Sequence, residues 1–72
     1  MIVKDDLNDA VLNELISIAK AKKYVVEGKR GATQRNYLRA LGFIDQQELE
    51  DGKLSYTLSA EGKEFVEREQ LL

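Results

Sequence analysis

The chain has 72 residues, of which 33% are charged and 43% hydrophobic, with a formal net charge of −2. It contains no cysteine and no histidine, which excludes disulfides, thiolate chemistry and imidazole metal sites. No apolar run approaches the roughly 20 residues of a membrane span, and the opening Met1-Ile2-Val3-Lys4-Asp5-Asp6 does not resemble a signal peptide, so a single cytoplasmic domain over 1-72 with a thin core is expected.

In chain order, Asp6 or Asn8 can cap a first helix, whose positive end suits Asp5, Asp6 and Asp9. Leu7, Val11, Leu15 and Ile18 form one apolar row, widened by Leu12, Ile16 and Ala19, and Lys20, Lys22 and Lys23 fall where cations complement the helix dipole. Tyr24-Val25-Val26 is aromatic and β-branched, and too short for a helix, so it reads as a short strand joining another sheet. Gly28-Lys29-Arg30-Gly31-Ala32 then reads as a loop. Thr33 is a plausible N-cap for a second helix with Tyr37, Leu38, Ala40 and Leu41 as its apolar positions. Gln34, Arg35 and Arg39 fall on its other side, and Gly42 supplies the left-handed residue that ends it.

Phe43-Ile44 opens a strand continued by Leu49, and Glu50-Asp51-Gly52-Lys53 is a turn; Asp-Gly favours a type I′ hairpin, since both central residues then need positive φ. A two-residue loop would set Leu49 opposite Leu54, and a longer loop would shift that pairing. Leu54, Tyr56 and Leu58 alternate with Ser55 and Thr57, as in a strand with one apolar face. Ser59 caps a last helix that buries Phe65 and Val66, with Leu71 and Leu72 extending it or fraying. Gly62 in its first turn costs about 1 kcal/mol relative to Ala, a cost that close approach of the helix to the sheet would offset.

Charge is segmented along the chain. Between Lys20 and Gly42 stand seven cations against one anion, Glu27, while the two flanks are acidic. A phosphate backbone responds to local potential within about 8 Å, a Debye length at physiological salt, more than to total charge.

The run Tyr37-Leu38-Arg39-Ala40-Leu41-Gly42-Phe43-Ile44, the Asp-Gly hairpin, and Tyr56-Thr57-Leu58-Ser59-Ala60-Glu61-Gly62 together resemble the winged-helix family. In that family a helix ends in a Leu-Gly-hydrophobic-Ile step, a hairpin forms the wing, and a Tyr-x-Leu-Ser/Thr-x-x-Gly step opens the next helix. The resemblance covers roughly the C-terminal half and implies an α+β winged-helix-like domain of order helix-strand-helix-β-hairpin-helix. One feature departs from the pattern. Between Val26 and Phe43 there is room for one helix and a loop, so the helix-turn-helix region is shortened.

The resemblance implies binding to duplex DNA, as a transcriptional regulator or accessory factor, with the helix from Thr33 to Leu41 against a major groove and Lys53 at the wing tip near the backbone. The residues fit locally. Arg35 and Arg39 are four apart, Gln34 and Asn36 offer amides to base edges, and Lys29, Arg30 and Thr33 lie at a helix start suited to phosphate. Glu48, Glu50 and Asp51 around Lys53 argue against a wing contact. The alternative is a protein-interaction or assembly module without DNA contact, using the acidic hairpin and C-terminal helix against a partner or a second copy in a homodimer. An enzyme is not expected, since no histidine is present and Ser17, Ser55, Thr57 and Ser59 have no base to activate them. No cofactor and no metal are expected.

Overall fold

The computed structural model describes all residues, 1–72. The first apolar row builds helix α1 (Asp9–Lys20), with Val11, Leu15 and Ile18 buried. Asn8 is its cap, the side-chain oxygen accepting from the Val11 N–H at 2.9 Å. The other candidate cap, Asp6, instead accepts from the Val3 N–H at 2.9 Å and closes a 3-10 turn over Lys4–Asp6. Strand β1 (Tyr24–Val26) follows, then α2 (Ala32–Ala40), β2 (Ile44–Glu48), β3 (Leu54–Leu58) and α3 (Ala60–Arg68). This is the expected order, an α+β domain compatible with a winged-helix-like arrangement. One helix only, α2, lies between β1 and β2.

The three strands form one antiparallel sheet in the order β1-β3-β2, so β1 and β2 are its edges. The registers are Tyr24↔Tyr56, Val25↔Ser55 and Val26↔Leu54 on one side of β3, and Ile44↔Leu58 through Glu48↔Leu54 on the other. Tyr24, Tyr56, Leu58 and Ile44 therefore share the face packed on the helices, while Val25, Thr57, Asp45 and Gln47 share the open face. Ten buried apolar residues from the three helices, both hairpin strands and Leu7 and Phe43 beside them make the core.

The hairpin departs from the expected two-residue turn. Gly52 has φ +80 but Asp51 does not have positive φ, so a type I′ turn is not formed. Gly52 N–H donates to the Leu49 carbonyl at 3.1 Å and Leu49 N–H to the Lys53 carbonyl at 2.8 Å, which makes a three-residue loop with Gly52 in the left-handed position. Leu49 therefore pairs with Lys53, not Leu54.

The helix ends explain the two sequence steps that flank the hairpin. At Gly42 (φ +81), its N–H donates to the Arg39 carbonyl and Phe43 N–H to that of Leu38, the double bond of a Schellman stop. Ser59 caps α3, accepting from Gly62 N–H at 3.0 Å, and its hydroxyl donates to the Gly42 carbonyl while its N–H donates to the Phe43 carbonyl at 3.0 Å. A Cβ on Gly62 would run into that Phe43 carbonyl. The close approach expected of Gly62 is thus made to the backbone step between α2 and β2. Phe43 and Phe65 stack over it with ring centroids 4.6 Å apart.

The chain ends are joined to each other. After α3, Gln70 adopts φ 55, Gln70 N–H donates to the Glu67 carbonyl and Leu71 N–H to that of Val66, so Leu71 folds back onto the core and Leu72 stays 67% exposed. Neither leucine extends the helix. Arg68 donates to the Ile2 carbonyl at 2.6 Å, and Lys4 N–H donates to the Glu69 carboxylate at 2.7 Å. That backbone donor, helped by Arg68, holds the Glu69 carboxyl below its ordinary value of 4.5. A depressed carboxylate stabilises the fold above its unfolded pKa, and that contribution is lost as pH falls through the folded value. The Lys4 amide should therefore lose hydrogen-exchange protection as pH falls through the depressed Glu69 value, below the ordinary carboxylate range, and Glu69→Gln should remove this pH dependence. Separately, Gly62→Ala should destabilise by about 2–3 kcal/mol in urea unfolding, as overpacking against backbone that cannot retreat.

Candidate nucleic-acid interface

The nine-residue helix α2 places the residues expected to act. Its N-cap is Gly31, not Thr33, with φ +77 and no side-chain cap. Two constraints put glycine there: the left-handed backbone, and the absence of space, since a Cβ would lie 2.6 Å from an Arg35 guanidinium nitrogen and 3.4 Å from the Glu14 oxygens. Thr33 then sits inside the first turn and faces outward.

The apolar side of α2 also differs from expectation. Leu38 is fully buried and Leu41 half-buried, but Tyr37 is 48% exposed and Ala40 is exposed. The inward position one turn before Leu38 belongs to Arg35, only 2% exposed. Arg35 donates to the Glu14 carboxylate on α1 at 2.9 Å, with the Glu14 side chain 16% exposed. The same oxygen accepts from the Tyr24 hydroxyl at 2.8 Å. The guanidinium lies over the Tyr56 ring, 5.1 Å from its centroid, and the Tyr56 hydroxyl donates to Gln46 at 2.7 Å. Tyr24 meets Tyr56 edge-on at 6.4 Å.

This network corrects the expectation that Arg35 pairs with Arg39 on a DNA-facing side. A turn of helix is 3.6 residues, so positions four apart share a face only approximately. Here Arg39 is rotated to solvent while Arg35 is drawn under α1 by Glu14. Burial by itself would lower the Arg35 pKa, but the hydrogen bond to Glu14 and the contact with Tyr56 outweigh it and hold it raised. Burial, and then the Glu14 carboxylate, push the Tyr24 phenol up. Arg35 is thus a cation whose charge is spent inside the fold.

The other expected residues divide as follows. Lys29 and Arg30 are exposed in the loop ahead of α2, where Ala32 N–H donates to the Lys29 carbonyl at 3.0 Å. Asn36 and Arg39 are exposed and Gln34 is half-buried. Thr33, Asn36, Tyr37, Arg39 and Ala40 make up one continuous outward arc, at the 100° per residue of a helix. Tyr37, expected in the core from its aromatic ring, is turned outward because Arg35 and Leu38 occupy the inward side of the helix. Lys53 is apart from this group on the hairpin, 3.3 Å from the Asp51 carboxylate with its side chain 40% exposed.

All six remaining cations of the basic segment, Lys20, Lys22, Lys23, Lys29, Arg30 and Arg39, are exposed and none is in an ion pair. Two clefts flank α2. One, about 320 Å³, lies between the starts of α1 and α2 and is lined by Asp6, Asn8, Thr33 and Tyr37 among others. The other, about 500 Å³, carries Glu14, Glu27, Arg30 and Arg35, a balanced set of charges with no net pull on an anion.

Arg35→Ala should destabilise the domain by about 3 kcal/mol, because it strands the Glu14 carboxylate, whereas the pair replaced together as Glu14→Leu and Arg35→Met should recover most of that loss. Urea unfolding of Arg35→Ala and of the Glu14→Leu, Arg35→Met double variant measures the difference.

No protein-family model, curated protein or solved structure matches the chain, so what it does has to be read from these side chains.

Proposed function

We propose that this domain is a winged-helix-like DNA-binding module, a transcriptional regulator or an accessory factor, that meets duplex DNA with the outward arc of α2 and the loop before it. One observation carries the reading: the segment from Lys20 to Gly42 keeps six exposed, unpaired cations after Arg35 has been neutralised within the fold, against the single exposed carboxylate of Glu27. Unpaired surface cations are what a phosphate backbone recruits, with release of its counterions.

The roles follow from chemistry and position. Lys29 and Arg30 stand beside the free N–H groups at the start of α2, where the helix dipole is positive, and suit phosphate oxygens. Asn36 presents an amide able to pair with adenine, and Arg39 a guanidinium able to pair with guanine. Thr33 and Tyr37 lie on the same arc and can contact sugar and phosphate or a thymine methyl. Ala40 leaves the C-terminal part of the arc low enough for close approach. Lys53 contributes little, since Asp51 holds it among the hairpin carboxylates.

Duplex binding measured by fluorescence anisotropy should weaken steeply with salt. Lys29→Ala, Arg30→Ala and Arg39→Ala should each lower affinity severalfold and reduce the logarithmic salt slope by about one. Asn36→Ala should instead flatten the preference among sequences. Absence of duplex binding at low salt, or indifference to these substitutions in folded variants, would overturn the reading.

A further inference from the structure

The two edges of the sheet differ in a way that points to self-association. Each edge strand pairs only with β3, so its outer side carries no ladder partner. Such edges recruit other strands unless they are blunted, and charge is a common means of blunting. β2 is blunted: Asp45, Gln46, Gln47 and Glu48 are all exposed and polar, and two copies laid antiparallel about Gln46 would oppose Asp45 to Gln47 and Ile44 to Glu48, with no pair of opposite charges.

β1 is the opposite case. Exposed Lys23 and Glu27 flank it, and Val25 at its centre is 37% exposed, one of the few large apolar side chains on the surface. Lys23, at a bend, and Glu27 lie one residue beyond the two ends of the strand, with Val25 at its centre. The stretch Lys23-Tyr24-Val25-Val26-Glu27 therefore reads as its own complement. Laid antiparallel about Val25, it sets Lys23 against Glu27 of the second copy, Val25 against Val25, and Glu27 against Lys23. Directly opposed residues of this kind stabilise a pair, and like charges there oppose it.

We propose that β1 is the contact of a two-fold symmetric homodimer, in which two sheets join edge to edge into one antiparallel sheet of six strands. The contact is isologous, as in most dimers of identical chains. It differs from the acidic hairpin and C-terminal helix as a surface for self-association. A three-residue edge is far smaller than a standard interface of about 1,600 Å², so the free dimer is weak, with dissociation in the micromolar range or above. The proposal does not depend on DNA binding. If both hold, the dimer relates two α2 helices by a two-fold axis, and an inverted-repeat duplex would strengthen it through effective concentration.

Sedimentation equilibrium of the full chain, at rising concentration and without DNA, tests the contact directly. Lys23→Glu alone and Glu27→Lys alone should each weaken dimerisation about tenfold, because each sets like charges against one another at two symmetric places. Mixing the two variants should restore association as a heterodimer, since every opposed pair is then of opposite sign. The doubly exchanged chain, Lys23→Glu with Glu27→Lys, should dimerise like the parent. Unchanged thermal midpoints would show that the exposed substitutions leave the fold intact. A strict monomer at several hundred micromolar, a dimer indifferent to both charges, or failure of the mixture to associate would each overturn the proposal.

Discussion

The pairing of Arg35 with Glu14 is the interaction on which the arrangement of this domain turns. It joins α1 to α2, and through Tyr24 and Tyr56 it reaches the edge and centre of the sheet. A charge removed from water costs several kcal/mol unless it is paired and hydrogen-bonded. Once Arg35 is drawn inward, the position of Glu14, the rotation of α2 and the side of the sheet that Tyr24 faces are constrained together. Gly31 belongs to the same constraint, since no side chain fits between its Cα and the ion pair. One Arg35 nitrogen, Nε, is buried without a hydrogen-bond partner, and the Tyr56 ring beside the guanidinium gives the cation a partial substitute.

That rotation decides what α2 exposes. With Arg35 and Leu38 turned inward, α2 shows solvent an arc of Thr33, Asn36, Tyr37 and Arg39. The two arginines, about 40° apart around the helix, thus fall on either side of its burial boundary. Arg35 is paired inside the fold, and Arg39 is exposed and unpaired. Most of the carboxylates lie on the hairpin, on α3 and at the N-terminus, and one of them, Asp6, lines a cleft together with Thr33 and Tyr37.

A second constraint fixes the C-terminal half. Gly42 and Phe43 end α2 and begin the approach to β2, and their carbonyls are held by the Ser59 hydroxyl and N–H while bare Gly62 passes beside them. The two steps that suggest a winged helix in the sequence are therefore the two halves of one contact. This explains why a glycine sits in the first turn of α3, where helix propensity alone disfavours it.

Much of the architecture was legible from the chain itself. The order of elements, the caps at Asn8 and Ser59, the stop at Gly42 and the single apolar face of β3 rest on local rules: hydrophobic period, capping oxygens and the φ freedom of glycine. These depend on near neighbours, which the sequence displays. The three-residue hairpin loop and the cap at Gly31 were missed because Asp-Gly and Thr33 each satisfy a local preference that the surrounding strands and the ion pair override. Exposure of the basic loop and of Asn36 and Arg39 is what a run of cations and amides suggests. The burial of two side chains is the reverse of what their types suggest, Arg35 inside and Tyr37 outside. Arginine is expected outside and an aromatic ring inside, because that is the usual balance of solvation. Only the tertiary structure brings Glu14, twenty-one positions away, to within 2.9 Å of Arg35, and that one pairing reverses the balance for both side chains.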